Sequence, residues 1–399
     1  MRGKRNRSCV ALLCLGLLLP LGAKAEIFVF GDSLSDTGNL AAFANLQVQL
    51  LALDPRVLCK KSGSGPIPCK NVPDLRVGLC FAKFDETSDL DGDGVPDLIF
   101  EFPCDDLFFM NSRVSNGPVA VEILAERLGF DELQPSLHLL PPLVRDLFER
   151  GPNYAVAAAT AQASAIGNDL DTQVTAFLFD HLVDHVPSAP SDALYVVMIG
   201  GNDVIDAANA LAKLIIGSTP DEMPGAIIAA AVAAIGDNIN LLIGAGARKF
   251  LVVNSPNIGS IPAIKIAAEE AGVPPALVRG LATFVTIKFN RQLAERLGQI
   301  QADQPLVEIK QFNLFRFFEG VRFVGKLFGV FENIEDACFD SKAYRDNGRP
   351  VDLSSLFDED CGVEKFDTFV FFDAIHPTGQ VHRIVGKALS RAARKLIDD

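Results

Sequence analysis

Five short runs of almost entirely apolar residues punctuate the chain: "IFVF" (27–30), "YAVAA" (154–158), "LYVVMI" (194–199), "KFLVVN" (249–254) and "PLVEI" (305–309). Runs this apolar need cover on both faces, and the amphipathic stretches between them, such as 119–128 and 225–247, can supply it. The alternation predicts an α/β fold with a parallel sheet covered by helices. The Ala-rich "PGAIIAAAVAAIG" (224–236) reads as a packed helix, because it is too short for a membrane span and Asp237 interrupts its pattern. Residues 47–111 break the rhythm, with many Pro and Gly, several Cys and no clear helical period. They predict a Cys-rich insertion in one catalytic domain.

Composition narrows the setting. The first 25 residues place four basic side chains before an apolar stretch that ends in Ala23-Lys24-Ala25, the pattern of a secretory signal removed before Glu26. Its removal leaves 31 basic against 50 acidic residues, a net charge of −19. Such acidity argues against nucleic acid and against charge-driven binding to anionic lipid. No stable membrane span is expected. Six cysteines remain, Cys59, Cys69, Cys80, Cys104, Cys338 and Cys361, an even number that suits disulfides in an oxidising compartment. Fifteen pairings are possible, and spacing favours Cys59 with Cys69, Cys80 with Cys104, and Cys338 with Cys361.

Ligands of open parallel sheets bind beyond the carboxyl ends of the strands, where four chemically suggestive segments fall. "FGDSLSDTGNL" offers Ser33 after the first run, "YAVAAAT" offers Ala158 after the second, "IGGND" offers Asn202 after the third, and "FFDAIHPTGQ" offers Asp373 and His376. Acyl transfer from an ester needs a nucleophile, a base and donors aimed at the developing oxyanion. Ser33 would attack, His376 would accept its proton, and Asp373, three residues earlier in the same loop, would orient the imidazole. The Ser33 backbone N–H and the Asn202 amide would form the oxyanion hole.

These blocks, in this order, resemble the GDSL lipases and esterases, the SGNH hydrolases; "NYAVAAATA", "VSNGPVAVEILAERLG", "LDTQVTAFL" and "GARKFLVVNSPNIGSIPA" are similar to that family too. The resemblance runs from about residue 28 to the C-terminal helix and largely omits 47–111. It implies a three-layer α/β/α fold with a five-stranded, mostly parallel sheet, and a carboxylic ester hydrolase that needs no cofactor for its chemistry. It also implies Ser33 as nucleophile, Asp373 and His376 as acid and base, and Ser33, Ala158 and Asn202 as the oxyanion donors. Ala158 stands where the family usually has Gly; a backbone N–H there can still donate if the site does not demand a positive φ. Phe372 replaces a frequent Trp, a change expected to affect packing. Acyl transfer to another alcohol is a close variant of the reaction.

Within the insertion, "DLDGDGVPD" sets Asp89, Asp91, Asp93, the Val95 carbonyl and Asp97 at positions 1, 3, 5, 7 and 9 of a loop turned by Gly94. Alternating carboxylates of this kind suit Ca²⁺, and because Phe100 stands where an EF-hand has its position-12 Glu, a β-flanked calcium loop fits better than an EF-hand. A structural calcium loop between strands is expected, and a calcium-dependent binding protein with a decayed hydrolase site is the competing class. Asp36 and Asn39 fit turn chemistry, Asp203 fits a structural role bonding backbone N–H groups of the oxyanion loop, and His382 fits a structural residue of the last helix. The Phe-rich 311–331 fits a helix on the sheet, or the wall of an acyl pocket.

Overall fold

The computed structural model describes residues 26–51, 57–61, 67–68, 84–88, 97–102, 113–130, 132–164, 167–183, 189–340 and 357–397. Their strands are β1 (Ile27–Gly31), β2 (Val57–Lys61), β3 (Ile67–Pro68), β4 (Phe84–Ser88), β5 (Asp97–Phe102), β6 (Leu194–Met198), β7 (Lys249–Val253), β8 (Glu308–Phe312), β9 (Asn333–Ala337) and β10 (Phe369–Phe371). The helices are α1 (Asn39–Leu51), α2 (Ala120–Leu128), α3 (Pro142–Arg145), α4 (Leu170–Val183), α5 (Gly201–Ile215), α6 (Pro224–Ala245), α7 (Pro262–Glu270), α8 (Pro275–Asp303), α9 (Leu314–Leu327) and α10 (Gly379–Ile397).

The main sheet is parallel, in the order β1-β6-β7-β8. Every residue of β1 and β6 is buried, which is why their sequences show no alternation; β8, at the edge, mixes Glu, Lys and Gln with its apolar residues. Helices α2 and α10 pack together, with α10 reaching β7 and β8, while α4, α5, α6 and α8 form the second helical group. The result is three layers, α/β/α.

Three of the five predicted runs are regular strands, β1, β6 and β7; a fourth, "PLVEI" (305–309), meets its strand only at Glu308 and Ile309, because β8 runs on to Phe312. The fifth, "YAVAA", lies along the free edge of β1 without becoming one. The Val29 N–H donates to Pro152 O (3.1 Å), and the Tyr154 and Val156 N–H groups donate to Val29 O (2.7 Å) and Gly31 O (3.1 Å). Pro152 has no N–H to offer, and the Gly31 N–H that would continue the ladder to Tyr154 is taken by the Gln173 side chain (2.9 Å), so the ladder is diverted into a side-chain bond. The Ala-rich stretch also exceeds expectation. It is part of a 22-residue helix, α6, that continues through Asp237 and is long and apolar enough to cross a membrane. Ile228, Ala231, Ile235, Ile239 and Leu242 bury one face of it in the core, and Asp237 pairs with Arg296 on α8.

Phe28, Phe30, Tyr154, Phe177, Tyr195 and Phe250 form a run of ring contacts beneath the nucleophile strand. Such pairs contribute about 0.5–1.5 kcal/mol each beyond their buried area. A second, smaller core of Ala41, Cys338, Phe339, Phe366, Phe369 and Phe372 supports the C-terminal loop. Phe372 packs between Phe339 and Phe366, as expected of a packing change. The Cys338–Cys361 disulfide closes this core, with its Cα atoms 5.5 Å apart.

Within the insertion, α1 extends to Leu51, so its start is helical, contrary to expectation. The strands form a separate sheet in the order β3-β2-β5-β4. Ser88 and Asp97 are paired across antiparallel β4 and β5, so the acidic loop joins two strands. Asp89, Asp91, Asp93 and Val95 of that loop, and Cys69, Cys80 and Cys104, lie outside the described residues; Cys59 falls in β2 and Asp97 opens β5.

Candidate active site

The turn after β1 is fixed by a set of buried polar groups. The Gln173 amide bonds Gly31 in both directions, accepting from its N–H and donating to its O, each at 2.9 Å. A Cβ at Gly31 would lie 2.5 Å from the Met198 carbonyl, so only glycine lets the strands approach here. Asp36 then accepts from four backbone N–H groups: Gly38 and Asn39 (both 2.7 Å), Leu40 (3.2 Å) and Ala157 (2.8 Å). It caps α1 and, through Ala157, ties the second block to the first. Asn39 donates to Asn153 O and Ala155 O, both 2.8 Å away, while Asn153 donates to Ser35 O (2.7 Å) and Thr37 Oγ1 (2.9 Å). Turn chemistry alone predicted part of this. The reach of Asp36 and Asn39 to residues more than 100 positions away, and the parts of Gln173 and Asn153, were not foreseen.

Ser33 is held 8% exposed in this turn. Its Oγ lies 2.8 Å from His376 Nε2, and His376 Nδ1 lies 2.9 Å from each carboxylate oxygen of Asp373. Asp373 also accepts from the backbone N–H groups of Ile375 (2.8 Å) and His376 (2.7 Å), so one carboxylate shapes the loop and orients the ring. Burial raises the Asp373 pKa, but the His376 imidazole and the two N–H groups outweigh it and hold the carboxyl below its ordinary value. The loop rests on the smaller core through the Cys338 and Phe339 N–H groups, which donate to Phe371 O and Phe372 O.

Block three enters from α5. Gly200, at φ 108°, turns the chain from β6 into the helix against the ring of Phe289. Asn202, in the first turn, donates through Nδ2 to Ala159 O (2.8 Å), which leaves its second amide hydrogen available. Asp203 accepts from the Ala161 N–H (2.8 Å) and the Gln162 N–H (3.4 Å), the structural role expected of it. Ala158 is therefore bracketed by two anchored neighbours, Ala157 on Asp36 and Ala159 on Asn202. It is exposed, with φ at 63°, and its N–H has no hydrogen-bond partner among the described residues. The positive φ that glycine would accept cheaply is demanded here, and an alanine meets it.

Ser33, Asn202 and His376 line one narrow cavity of about 60 Å³. Its other walls are chiefly apolar: Ile205, Ile258, Ile261, Phe371, Val381 and Val385, with Leu314 and Phe318 from α9. The Phe-rich helix thus packs against β9 and α10 and lines the pocket. Ala158 is not among the lining residues. Asp32, on the same wall, is pushed up to about 6, chiefly by burial, and the Leu34 N–H at 3.1 Å compensates in part. Burial likewise raises Asp203 to about 6. A larger groove of about 580 Å³ between α5, α7 and α8 contains none of Ser33, Asn202 and His376.

Among the described residues, no group of three His, Cys, Asp or Glu could hold a metal ion. A parallel α/β sheet with a serine at the end of its first strand, hydrogen-bonded in series to a histidine and an aspartate from the loop after β10, which pairs with β9 in a separate two-stranded sheet, has the architecture of a serine hydrolase. The chain belongs to the GDSL-like Lipase/Acylhydrolase family, whose profile matches residues 27–389. Among its relatives, an inactive GDSL esterase/lipase-like protein of Arabidopsis thaliana is 23% identical over 292 residues, 71% of this chain and 63% of that protein. Two GDSL esterase/lipases of the same plant are 25% and 23% identical over 296 and 305 residues, 71% and 72% of this chain and 77% and 79% of theirs. The chain thus spans less than two thirds of the first of these relatives.

Proposed function

We propose that this protein is a secreted serine esterase that hydrolyses carboxylic esters, of lipids or short acyl chains, through an acyl-enzyme on Ser33. The observation that carries the reading is the series Ser33 Oγ, His376 Nε2, His376 Nδ1, Asp373, with separations of 2.8 and 2.9 Å, at the end of a narrow apolar cavity. As Ser33 Oγ attacks the ester carbonyl, His376 takes its proton and returns it to the leaving alcohol; water then repeats the sequence on the acyl-enzyme. Asp373, ionised and buried, keeps the Nδ1 proton in place and stabilises the imidazolium. The oxyanion is received by the Ser33 N–H, the second hydrogen of the Asn202 side-chain amide and the Ala158 N–H, which has no partner among the described residues; the bonds of Asp36 and Asn202 to its neighbours hold that turn in place.

Secretion rests on the signal-like residues 1–25 and suits the Cys338–Cys361 disulfide. The acidic segment 89–97 is carried forward as a structural calcium loop between β4 and β5. The competing reading, a binding protein with a decayed site, draws support from a relative named inactive. Ser33, His376 and Asp373 in hydrogen-bonded register speak for catalysis.

The test is hydrolysis of aryl esters of graded chain length by the wild type and Ser33→Ala, with calcium supplied. Wild-type turnover with a loss of roughly a thousand-fold or more in the variant is expected. A wild type inactive on every chain length would overturn the enzyme reading.

A further inference from the structure

The larger groove, away from Ser33, opens where the chain is made of small residues. Helix α8 packs against both α5 and α7, while α5 and α7 barely touch each other. The residues that line the gap between them include Ala212 on α5 and Ala267 and Ala268 on α7, side chains too short to close it. What remains is the concavity of about 580 Å³, within the roughly 300–1,000 Å³ that small-molecule sites occupy.

Its rim is apolar and open to solvent. Ile215 and Ile216 at the end of α5, and Leu277 on α8, line the groove and are exposed. Apolar side chains left in water around a concavity of this size form a surface that gains from being covered. The charged groups are few and mostly of one sign. Asp206, Asp221 and Glu222 face a single cation, Lys213, whose ammonium is already paired with Asp221 at 3.4 Å. Asp206 is accessible, yet its side chain has no hydrogen-bond or ion-pair partner among the described residues. Partial burial by the apolar walls raises its pKa, and no cation among those residues pulls it back down.

We propose that this groove binds a small molecule made of an aliphatic or aryl body and one protonated amine, the body covering the apolar walls and the ammonium donating to the Asp206 carboxylate. An anion there would meet three carboxylates, and the chain's net charge of −14 draws cations to its surface. A neutral molecule of the same shape would shield Asp206 from water and leave it unpaired, which is the basis of discrimination. The site is separate from the ester chemistry proposed for Ser33 and does not depend on it.

The experiment is isothermal titration calorimetry of the protein with octylammonium, octanol and octanoate at one ionic strength. Octylammonium should fill one site about ten-fold more tightly than octanol, and octanoate should bind more weakly than either. Asp206→Asn, a carboxyl-to-amide change at an accessible position, should bring octylammonium down to the level of octanol. Ala267→Phe, which fills the groove from an accessible position on α7, should weaken octylammonium and octanol alike by about ten-fold. Octanol or octanoate binding as tightly as octylammonium would overturn the proposal. So would a preference for the ammonium that survives Asp206→Asn, the result expected if the acidic chain attracted cations only as a whole. Binding untouched by Ala267→Phe would place the alkyl body elsewhere and would equally sink it.

Discussion

Ala158 holds a φ of 63° in a region that costs an L-residue about 1–2 kcal/mol, and it does so between two hydrogen-bonded neighbours that leave the turn no freedom to relax. Ala158→Gly removes that strain and returns part of the gain as unfolded-chain entropy, so a net stabilisation of a few tenths to about 1 kcal/mol is expected in chemical denaturation. A destabilised Ala158→Gly would mean that the Cβ makes contacts worth more than the strain. The same residue scale explains why Ser33 could be singled out early while Asp32 could not. A serine before a glycine-rich turn, with a distant Asp-x-x-His, has recognisable chemistry. Asp32 owes its raised pKa to burial, which no neighbour in sequence announces.

At the scale of elements, the nucleophile turn is built by long-range hydrogen bonds rather than by helix or strand propensity. Asp36 satisfies the first N–H groups of α1 and also holds the second block through Ala157. Asp36→Ala is expected to destabilise the fold by about 2–3 kcal/mol, since a helix cap and a buried acceptor are lost together. Urea unfolding measures this, and a loss under 0.5 kcal/mol, within the ordinary range of surface substitutions, would contradict the clamp. The edge segment 152–156 follows the same logic. Its apolar letters predict a strand, but Pro152 lacks an N–H and Gln173 takes the Gly31 N–H that would continue the ladder, and the segment ends in the turn that carries Ala158. Periodicity reads burial well and cannot see which polar group will capture a backbone N–H.

Across the whole molecule, buried histidine links stability to pH. His382 titrates near 6.5 when unfolded and near 3 when folded, so the unfolded chain binds a proton that the folded chain refuses. Its contribution is intact above about 6.5 and is lost as pH falls from there toward 3. His382→Asn lacks this penalty, so its destabilisation should be about 2 kcal/mol smaller at pH 5 than at pH 8, read from denaturant unfolding. Equal values at both would refute a buried neutral ring. The proposed calcium loop is tested at the same scale. Stripping calcium with a chelator should lower Tm and readdition should restore it, and an unchanged Tm would exclude a stabilising ion. The sequence by itself determined the α/β class, three strands of the main sheet with the start of the fourth, and the ordered blocks that bear Ser33, Asn202, Asp373 and His376, because apolar runs report burial and short motifs report chemistry. Only the tertiary structure decided how those blocks meet. It brought Asp36 to Ala157 across 121 residues and His382 to Ala120 across 262, and it placed His382 among the residues around Ser33's cavity. Hydrogen-bond partners and buried donors depend on which distant segments share a volume, and no local pattern in the chain encodes that.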